Sequence, residues 1–260
     1  MKRKNMAAMV TSIALVGVVA VGGTLALLSQ GSNTVTNTFT VGKGYNQETP
    51  DLSLDEAPVK MITTASDAIN GVNLGDYVET GAKRQTENSY NNLIAGAKMA
   101  KDPQFHISES CEVAESWIVA EVNGFNTDTA KTTLKFTDVT DETVADELNK
   151  LVDGVWYKVT KKDGVYKYEA VTTTNMGNGV YIYNKSLSAG ESTKDLFQQL
   201  QVDTFKEGAN PSQIKVSGVA VEGIAGVDFD NMKDTVMKLV DDGDFLEGKF
   251  VVPVVPTEEP

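Results

Sequence analysis

The sequence predicts an all-β protein, an antiparallel β-sandwich with one or two short helices. Short segments that alternate apolar and polar residues recur along the chain. Asp-Gly and Gly-Asn-Gly turn signals separate several of them, and only two stretches show a clear helical period. Many short strands joined by turns typically pack as two sheets, and a jelly roll is one version of that arrangement.

The middle of the chain supplies the clearest strands. "SWIVAEVNGF" predicts a strand from Trp117 to Val122, and "KTTLKFTDV" predicts another through Leu134 and Phe136. "VWYKVTKKDGVYKYEAV" predicts a hairpin that turns at the Asp-Gly pair 163–164. "GNGVYIYNKSL" predicts a further strand, whereas "STKDLFQQLQVDTF" is compatible with a strand or a helix.

The C-terminal third combines a strong strand with a helix. "SQIKVSGVAVEGIAG" has one face of Ile214, Val216, Gly218 and Ala220, and an opposite face that includes Val219 and Val221. "FDNMKDTVMKLVDD" repeats apolar residues at helical spacing, namely Met232, Val236, Leu239 and Val240. "DETVADELNKLVDG" has the same spacing and predicts a second short helix.

The N-terminus has the pattern of an export signal. Three basic residues precede an apolar run, and Thr24 and Ala26 put small side chains three and one before a cut that makes Leu27 the first residue. The alternative is an uncleaved anchor, since about 20 apolar residues span a bilayer. In both cases the rest of the chain lies outside the cytoplasm.

The predicted organisation has four parts. Residues 1–26 form the signal peptide, 27–44 an N-terminal strand segment, 45–250 the β-sandwich domain and 251–260 a Pro-rich acidic tail. Within the second part, "TVTNTFTV" alternates with a period of two, which predicts a strand. The stretch 45–100 is polar and shows little periodicity, so we expect short strands and loops there.

Composition excludes some classes of partner. The formal net charge is −13, which disfavours nucleic acid and anionic lipid. The single cysteine, Cys111, rules out an intramolecular disulfide. We expect it to be a buried small hydrophobe and not a reactive thiol.

Two N-terminal motifs resemble the TasA/camelysin family of exported Firmicute proteins. "GGTLA" at 22–26 matches the end of the family's signal, and "NTFTVG" at 37–42 matches its first strand. Leu27 and Leu28 replace the family's usual aromatic pair. The segments "TENSYNNLIAGAKMAKDPQFHI", "GVYIYNKSLSAGESTKDLFQQLQV" and "IKVSGVAVEGIAGVDFDNMKD" also resemble family motifs.

The resemblance implies a secreted, jelly-roll-like structural protein of the biofilm matrix or cell surface. A SipW-type signal peptidase would be one partner, and the membrane would be met only through the signal before cleavage. Copies of the chain would self-associate into fibres when the N-terminal strand enters a neighbour's sheet. The strand residues assigned to that role are Val35, Asn37, Phe39 and Val41. Alternatively, this strand is simply the first of its own sandwich.

Camelysin-type relatives have been classified as metallopeptidases, which makes a protease the rival enzyme hypothesis. A zinc peptidase needs about three protein ligands, commonly histidine. The chain has one histidine, His106, no HExxH motif and no GxSxG motif. We therefore predict no catalytic residues, and a surface or structural role for His106.

Acidic residues near the C-terminus are the candidate calcium ligands: Asp228, Asp230, Asp241, Asp242 and Asp244. They do not form an EF-hand loop, and helix capping or plain solvation are the alternatives, so no cofactor is expected. A surface adhesin or ligand-binding β-sandwich is the alternative function, although no LPxTG-like sorting signal follows the tail.

Overall fold

A computed structural model describes the backbone of most of the 260-residue chain. The described residues are 29–31, 45, 51–61, 73–77, 83–88, 90, 95–125, 131–137, 155–207, 211 and 213–242. Within them the strands are β1 Ser29–Gly31, β2 Leu52–Asp55, β3 Val59–Met61, β4 Asn73–Tyr77, β5 Lys98–Ala100, β6 Gln104–Ile107, β7 Ser116–Asn123, β8 Thr133–Phe136, β9 Trp156–Lys162, β10 Val165–Ala170, β11 Gly179–Tyr183, β12 Gln199–Thr204 and β13 Lys215–Glu222. One helix follows, α1 Phe229–Asp242.

The strands form three sheets, which confirms the all-β, sandwich-like prediction. The largest has six antiparallel strands in the order β1-β13-β7-β11-β9-β10. A five-stranded sheet has the order β3-β4-β5-β12-β8, antiparallel apart from the parallel pair β4–β5. A two-stranded sheet pairs β2 with β6. The segment that was ambiguous from its pattern is a strand, β12.

The large sheet is covered on both faces, because its central strands carry apolar residues on both sides. On one face Val216 and Ala220 join a core with Leu52 and Phe105 from the two-stranded sheet. On the other face α1 covers a cluster that comprises Trp117, Val119, Val159, Val180, Ile182, Val219 and Val221. The two faces predicted for β13 are therefore correct, and both are buried.

Helix α1 forms where the helical spacing predicts it. Asp228 caps its first turn, since its Oδ1 accepts a hydrogen bond from the Asn231 amide at 3.0 Å. Met232, Val236 and Val240 are buried as expected. Met237 is also buried because the sheet contacts a wider stripe than the predicted one.

The predicted hairpin turn is also confirmed. Asp163 and Gly164 have φ values of 53° and 77°, the two left-handed positions of a type I′ turn between β9 and β10. The helix predicted within 141–154 and the strand predicted from "TVTNTFTV" lie outside the described residues.

Candidate functional site: the β13 edge

The first described strand, β1, lies at one edge of the large sheet against β13. Ser29, Gln30 and Gly31 pair antiparallel with Val221, Ala220 and Val219. Since β13 has eight residues and β1 has three, β1 covers less than half of that edge. The segment just after the predicted signal therefore adds a strand to the sheet.

The rest of the β13 edge directs backbone groups away from β7. The Gly223 amide donates inward to the Glu115 carbonyl at 2.9 Å, so odd-numbered residues of β13 face β7. Val216 and Gly218 consequently direct their amide and carbonyl groups outward. No described residue pairs with β13 on this side between Lys215 and Gly218.

Gly218 leaves no room for a side chain at this edge. A Cβ there would lie 2.3 Å from Cε1 of Phe105 and 3.1 Å from the Val119 carbonyl oxygen. Phe105 is fully buried and its ring lies 6.0 Å from that of Trp156, so it cannot easily move aside. The half of β13 that no described strand covers is thus backed directly by the core.

The opposite edge strand of the sheet, β10, has exposed charged residues and hydrogen bonds to α1. Val165, Lys167 and Glu169 are exposed along it. The alternate residues Tyr166 and Tyr168 donate hydrogen bonds from their hydroxyls to α1, to Asp241 at 2.9 Å and to Asp234 at 2.7 Å. Charged residues on an edge strand discourage pairing with another chain.

Most of the predicted site residues lie outside the described part of the chain. They are the cleavage residues Thr24, Ala26 and Leu27, the strand residues Val35, Asn37, Phe39 and Val41, and the candidate ligand Asp244. The structure therefore places their neighbour β1, and not the residues themselves.

The candidate calcium ligands that are described sit at opposite ends of α1. Asp228 is the helix cap and Asp230 forms an ion pair with Lys233. Asp241 accepts from Lys161 Nζ at 2.6 Å, about 20 Å from Asp228 by helix rise. Within the described ranges no group of three or more acidic, histidine or cysteine side chains is arranged to hold a metal.

The 51–106 region contains a partly buried ionic cluster that was not predicted from the sequence and that we call the charged clasp: Asp55, Glu56, Arg84, Lys101, Asp102 and His106. Arg84 joins Asp55 at 2.5 Å and Asp102 at 2.8 Å. Lys101 joins Glu56 at 2.5 Å, and the Glu56 side chain is fully buried. The clasp holds residues 83–88 against β2 and the start of β6.

Electrostatics within the clasp oppose the effect of burial. Burial alone would raise the pKa of Asp55, but hydrogen bonds from His106 and Arg84 hold it below its usual value. Both ring nitrogens of His106 are engaged, by Asp55 at 2.8 Å and by Ser192 at 2.7 Å. His106 therefore links β6 both to β2 and to Ser192.

The pKa of Asp195, which lies near the clasp, is shifted in the opposite direction to that of Asp55. Burial and the neighbouring charge of Asp102 raise its pKa to about 7, although Gln198 donates a hydrogen bond to it at 3.1 Å. Alternation patterns carry no signal for such a cluster. The Lys-Asp pair at 101–102 was the one visible hint, because two adjacent charges lie between two strands, β5 and β6.

Cys111 is buried, with 8% of its surface exposed, and burial raises the pKa of its thiol. Both observations agree with the predicted buried hydrophobe.

Among the described helices, none has the length and apolar character needed to cross a membrane. Comparisons of this chain with protein-family models, curated proteins and solved structures gave no match.

Proposed function

We propose that this chain is an exported structural protein of the extracellular or biofilm matrix that polymerises by exchange of its N-terminal strand. The observation that carries the proposal is the position of β1 on the β13 edge. Cleavage of the signal creates a new N-terminus at the start of this segment, and at no other part of the chain. The proposed fold type within the family is jelly-roll-like, and the proposed partners are a SipW-type signal peptidase and further copies of the chain.

The register of β1 supports strand exchange. A strand that continued in the same register would place residue 33 opposite Ser217 and residue 35 opposite Lys215, the first residue of β13. On exchange the whole N-terminal segment, with Asn37, Phe39 and Val41, would leave its own sheet and enter the sheet of a neighbouring copy, which β-augmentation accomplishes through backbone hydrogen bonds.

The two edges of the large sheet differ in a way that suits one-directional growth. The β13 edge is uncharged at Val216, Ser217 and Gly218, whereas β10 carries exposed Lys167 and Glu169. Pairing of an N-terminal strand with β13 is heterologous, so each copy both donates and accepts. This contact generates a filament when it does not close into a ring. In this proposal the protein works without catalysis and without a bound cofactor.

Cysteine pairs test where the strand binds. In the continued register, Asn33 and Ser217 form a non-hydrogen-bonded pair, the closer kind in an antiparallel ladder. Mature chains carrying Asn33→Cys are mixed with chains carrying Ser217→Cys and oxidised mildly. Exchange predicts covalent dimers on a non-reducing gel, and fibres by electron microscopy of the unmodified protein.

The matched control replaces Ser217→Cys with Val165→Cys, which puts the thiol on the β10 edge. That mixture is expected to remain uncrosslinked. A doubly substituted chain that closes only an internal disulfide, while the mixture stays monomeric, would place the strand in its own sandwich. The function would then be sought in ligand binding or adhesion.

A further inference from the structure

One carboxylate of the charged clasp, that of Glu56, binds two side-chain nitrogens from different parts of the chain. The Glu56 side chain is fully buried. Its Oε1 atom accepts a hydrogen bond from Lys101 Nζ at 2.5 Å, and its Oε2 atom accepts one from Asn88 Nδ2 at 3.1 Å. A buried glutamate therefore holds an amine and a carboxamide next to each other, one at each of its oxygens.

Backbone hydrogen bonds fix the segments that carry these side chains. Glu56 directly follows β2, and it exchanges two backbone hydrogen bonds of 2.8 Å with Gln85, three residues before Asn88. Lys101 directly follows β5, and its amide donates to the Gln198 carbonyl at 3.0 Å. Only 8% of the Lys101 side chain is exposed. The amine is thus held in a confined position beside the carboxamide.

The side-chain amide of Asn88 is oriented at both of its ends. Nδ2 donates to the Ala57 carbonyl at 2.9 Å in addition to Glu56. Oδ1 accepts a hydrogen bond from Gln85 Nε2. A donor at this oxygen stabilises the negative charge that develops on it when a nucleophile attacks Cγ. The amide nitrogen therefore faces a carboxyl group, and the amide oxygen faces a donor.

We propose that Lys101 and Asn88 become joined by an intramolecular isopeptide bond, with Glu56 as the group that transfers the protons. A bond forms between Lys101 Nζ and Asn88 Cγ, and the bond between Asn88 Cγ and Nδ2 breaks. The amide nitrogen leaves as ammonia, so the reaction needs no oxidant and no co-reactant. The reaction occurs once in each chain, and it does not depend on the N-terminal segment or on strand exchange.

The contacts of Glu56 with both nitrogens account for each proton. An ammonium group has no lone pair with which to attack, and burying an ion pair is costly. Transfer of a proton from Lys101 Nζ to Oε1 leaves a neutral, nucleophilic amine and a carboxylic acid. As the amine attacks Cγ, Glu56 gives this proton to Nδ2 and accepts the second one from Nζ. Neutral ammonia leaves, and Glu56 ends protonated beside the new amide.

Proximity supplies the rate that such a reaction lacks in water. A side-chain amide resists attack by a free amine, but fixed reactants behave as if they were at very high concentration. The product ties residues 83–88 to the junction of β5 and β6 and closes the loop 88–101. The chain has a single cysteine and no intramolecular disulfide is possible, so this bond is its covalent cross-link. A cross-link stabilises a fold chiefly because it restricts the unfolded chain.

The first test is the mass of the purified, unmodified full-length mature protein. We expect it to be lower than its sequence requires by the mass of one ammonia molecule. Trypsin cannot cut after an acylated Lys101, so the digest should contain the peptide 85–98 joined to the peptide 99–131. Tandem mass spectrometry then locates the link at Asn88. A succinimide at an asparagine also loses ammonia, but it leaves these two peptides separate.

Three variants test the roles of the residues. Lys101→Arg keeps a cation beside Glu56 but removes the nucleophilic amine, and Glu56→Gln removes the group that transfers the protons. Both are expected to retain the full mass and to give no joined peptides. Lys98→Met is the matched control, since Lys98 lies on the neighbouring strand β5 and outside the clasp. It is expected to lose ammonia as the unmodified protein does. Circular dichroism verifies that each variant is folded.

Two outcomes overturn the inference. One is a folded, unmodified protein with the full mass and separate peptides, a result that needs no variant. The other is a link that persists in Lys101→Arg, which would mean that another amine forms it. A link that forms equally well in Glu56→Gln would overturn the role of Glu56. Fibre formation is scored separately, so the isopeptide bond and the proposed polymerisation can fail independently.

Discussion

Two regions of the molecule, the large sheet with α1 and the 51–106 region, are stabilised by different combinations of forces. The large sheet and α1 are joined by apolar side chains such as Trp117, Val236 and Met237, all of them almost fully buried. The 51–106 region also contributes apolar side chains such as Phe105 to the core, but it adds the charged clasp, in which Arg84 bridges two carboxylates. Apolar packing is insensitive to pH, whereas a buried ionic cluster depends on the protonation of each member. Substitutions in the two regions should therefore change the unfolding free energy by different amounts and with different pH dependence.

The largest effect is expected from removing the central cation of the clasp. Arg84→Met leaves the Asp102 carboxylate buried without its main partner, which costs roughly 3–5 kcal/mol of unfolding free energy. The measurement is urea denaturation. Lys135→Met is the control, since the Lys135–Asp203 pair is about half exposed and is worth about 0–1 kcal/mol. Equal losses in both variants would mean that the clasp is no stronger than a surface pair.

The pH dependence of the clasp side is the next largest effect. The folded pKa of Asp195 is raised to about 7, above the usual carboxyl value of about 3.9. The folded state therefore holds a proton that the unfolded state has lost between pH 4 and pH 7. Stability contributed by this group is complete below pH 4 and falls as the pH rises to 7, by on the order of 4 kcal/mol.

Asp195→Asn isolates that contribution, because an amide cannot ionise and Gln198 can still contact it. The variant is expected to lose less stability than the native protein between pH 5 and pH 8, as measured by urea midpoints. The nearby charges Asp102, Arg84 and Lys194 are unchanged in both proteins. Parallel pH profiles would show that Asp195 is ionised throughout this range.

A single added methyl group tests the apolar contact between β13 and Phe105 of the 51–106 region. Gly218→Ala places a Cβ against Phe105 and Val119, and such overpacking costs about 1–3 kcal/mol. Gly177→Ala is the matched control, because no atom lies within 4 Å of the added carbon and its φ is not positive. We expect the control to change stability by about 0.5 kcal/mol or less. If both variants are equally stable, the core beneath β13 is softer than its packing indicates.

The sequence could predict features that depend on neighbouring residues, but not those that depend on contacts between residues far apart in the chain. Strands β7, β9, β10, β11 and β13 follow from alternation, from turn residues such as Asp163, or from apolar runs, because neighbouring residues in the chain carry those signals. The clasp unites Asp55, Arg84 and Asp102 through contacts between residues far apart in sequence, which no local period records. The residues of the predicted cleavage site and strand, 24–27 and 35–41, remain predictions, and β1 was found only from its pairing with β13.

The smallest expected effect concerns the start of α1 and also tests the calcium hypothesis. Asp228→Ala removes the side chain that caps the helix at Asn231, which costs about 1 kcal/mol. Asp203→Ala is the control, since its carboxylate is about half exposed, pairs with Lys135 and is not among the candidate calcium ligands. Urea unfolding is measured for both variants with and without Ca²⁺. If Asp228 serves only as a cap, its loss is the same in both conditions. If Asp228→Ala loses more unfolding free energy with Ca²⁺ than without it, Asp228 binds the ion. The bound cation would then stabilise the packing of α1 on the large sheet.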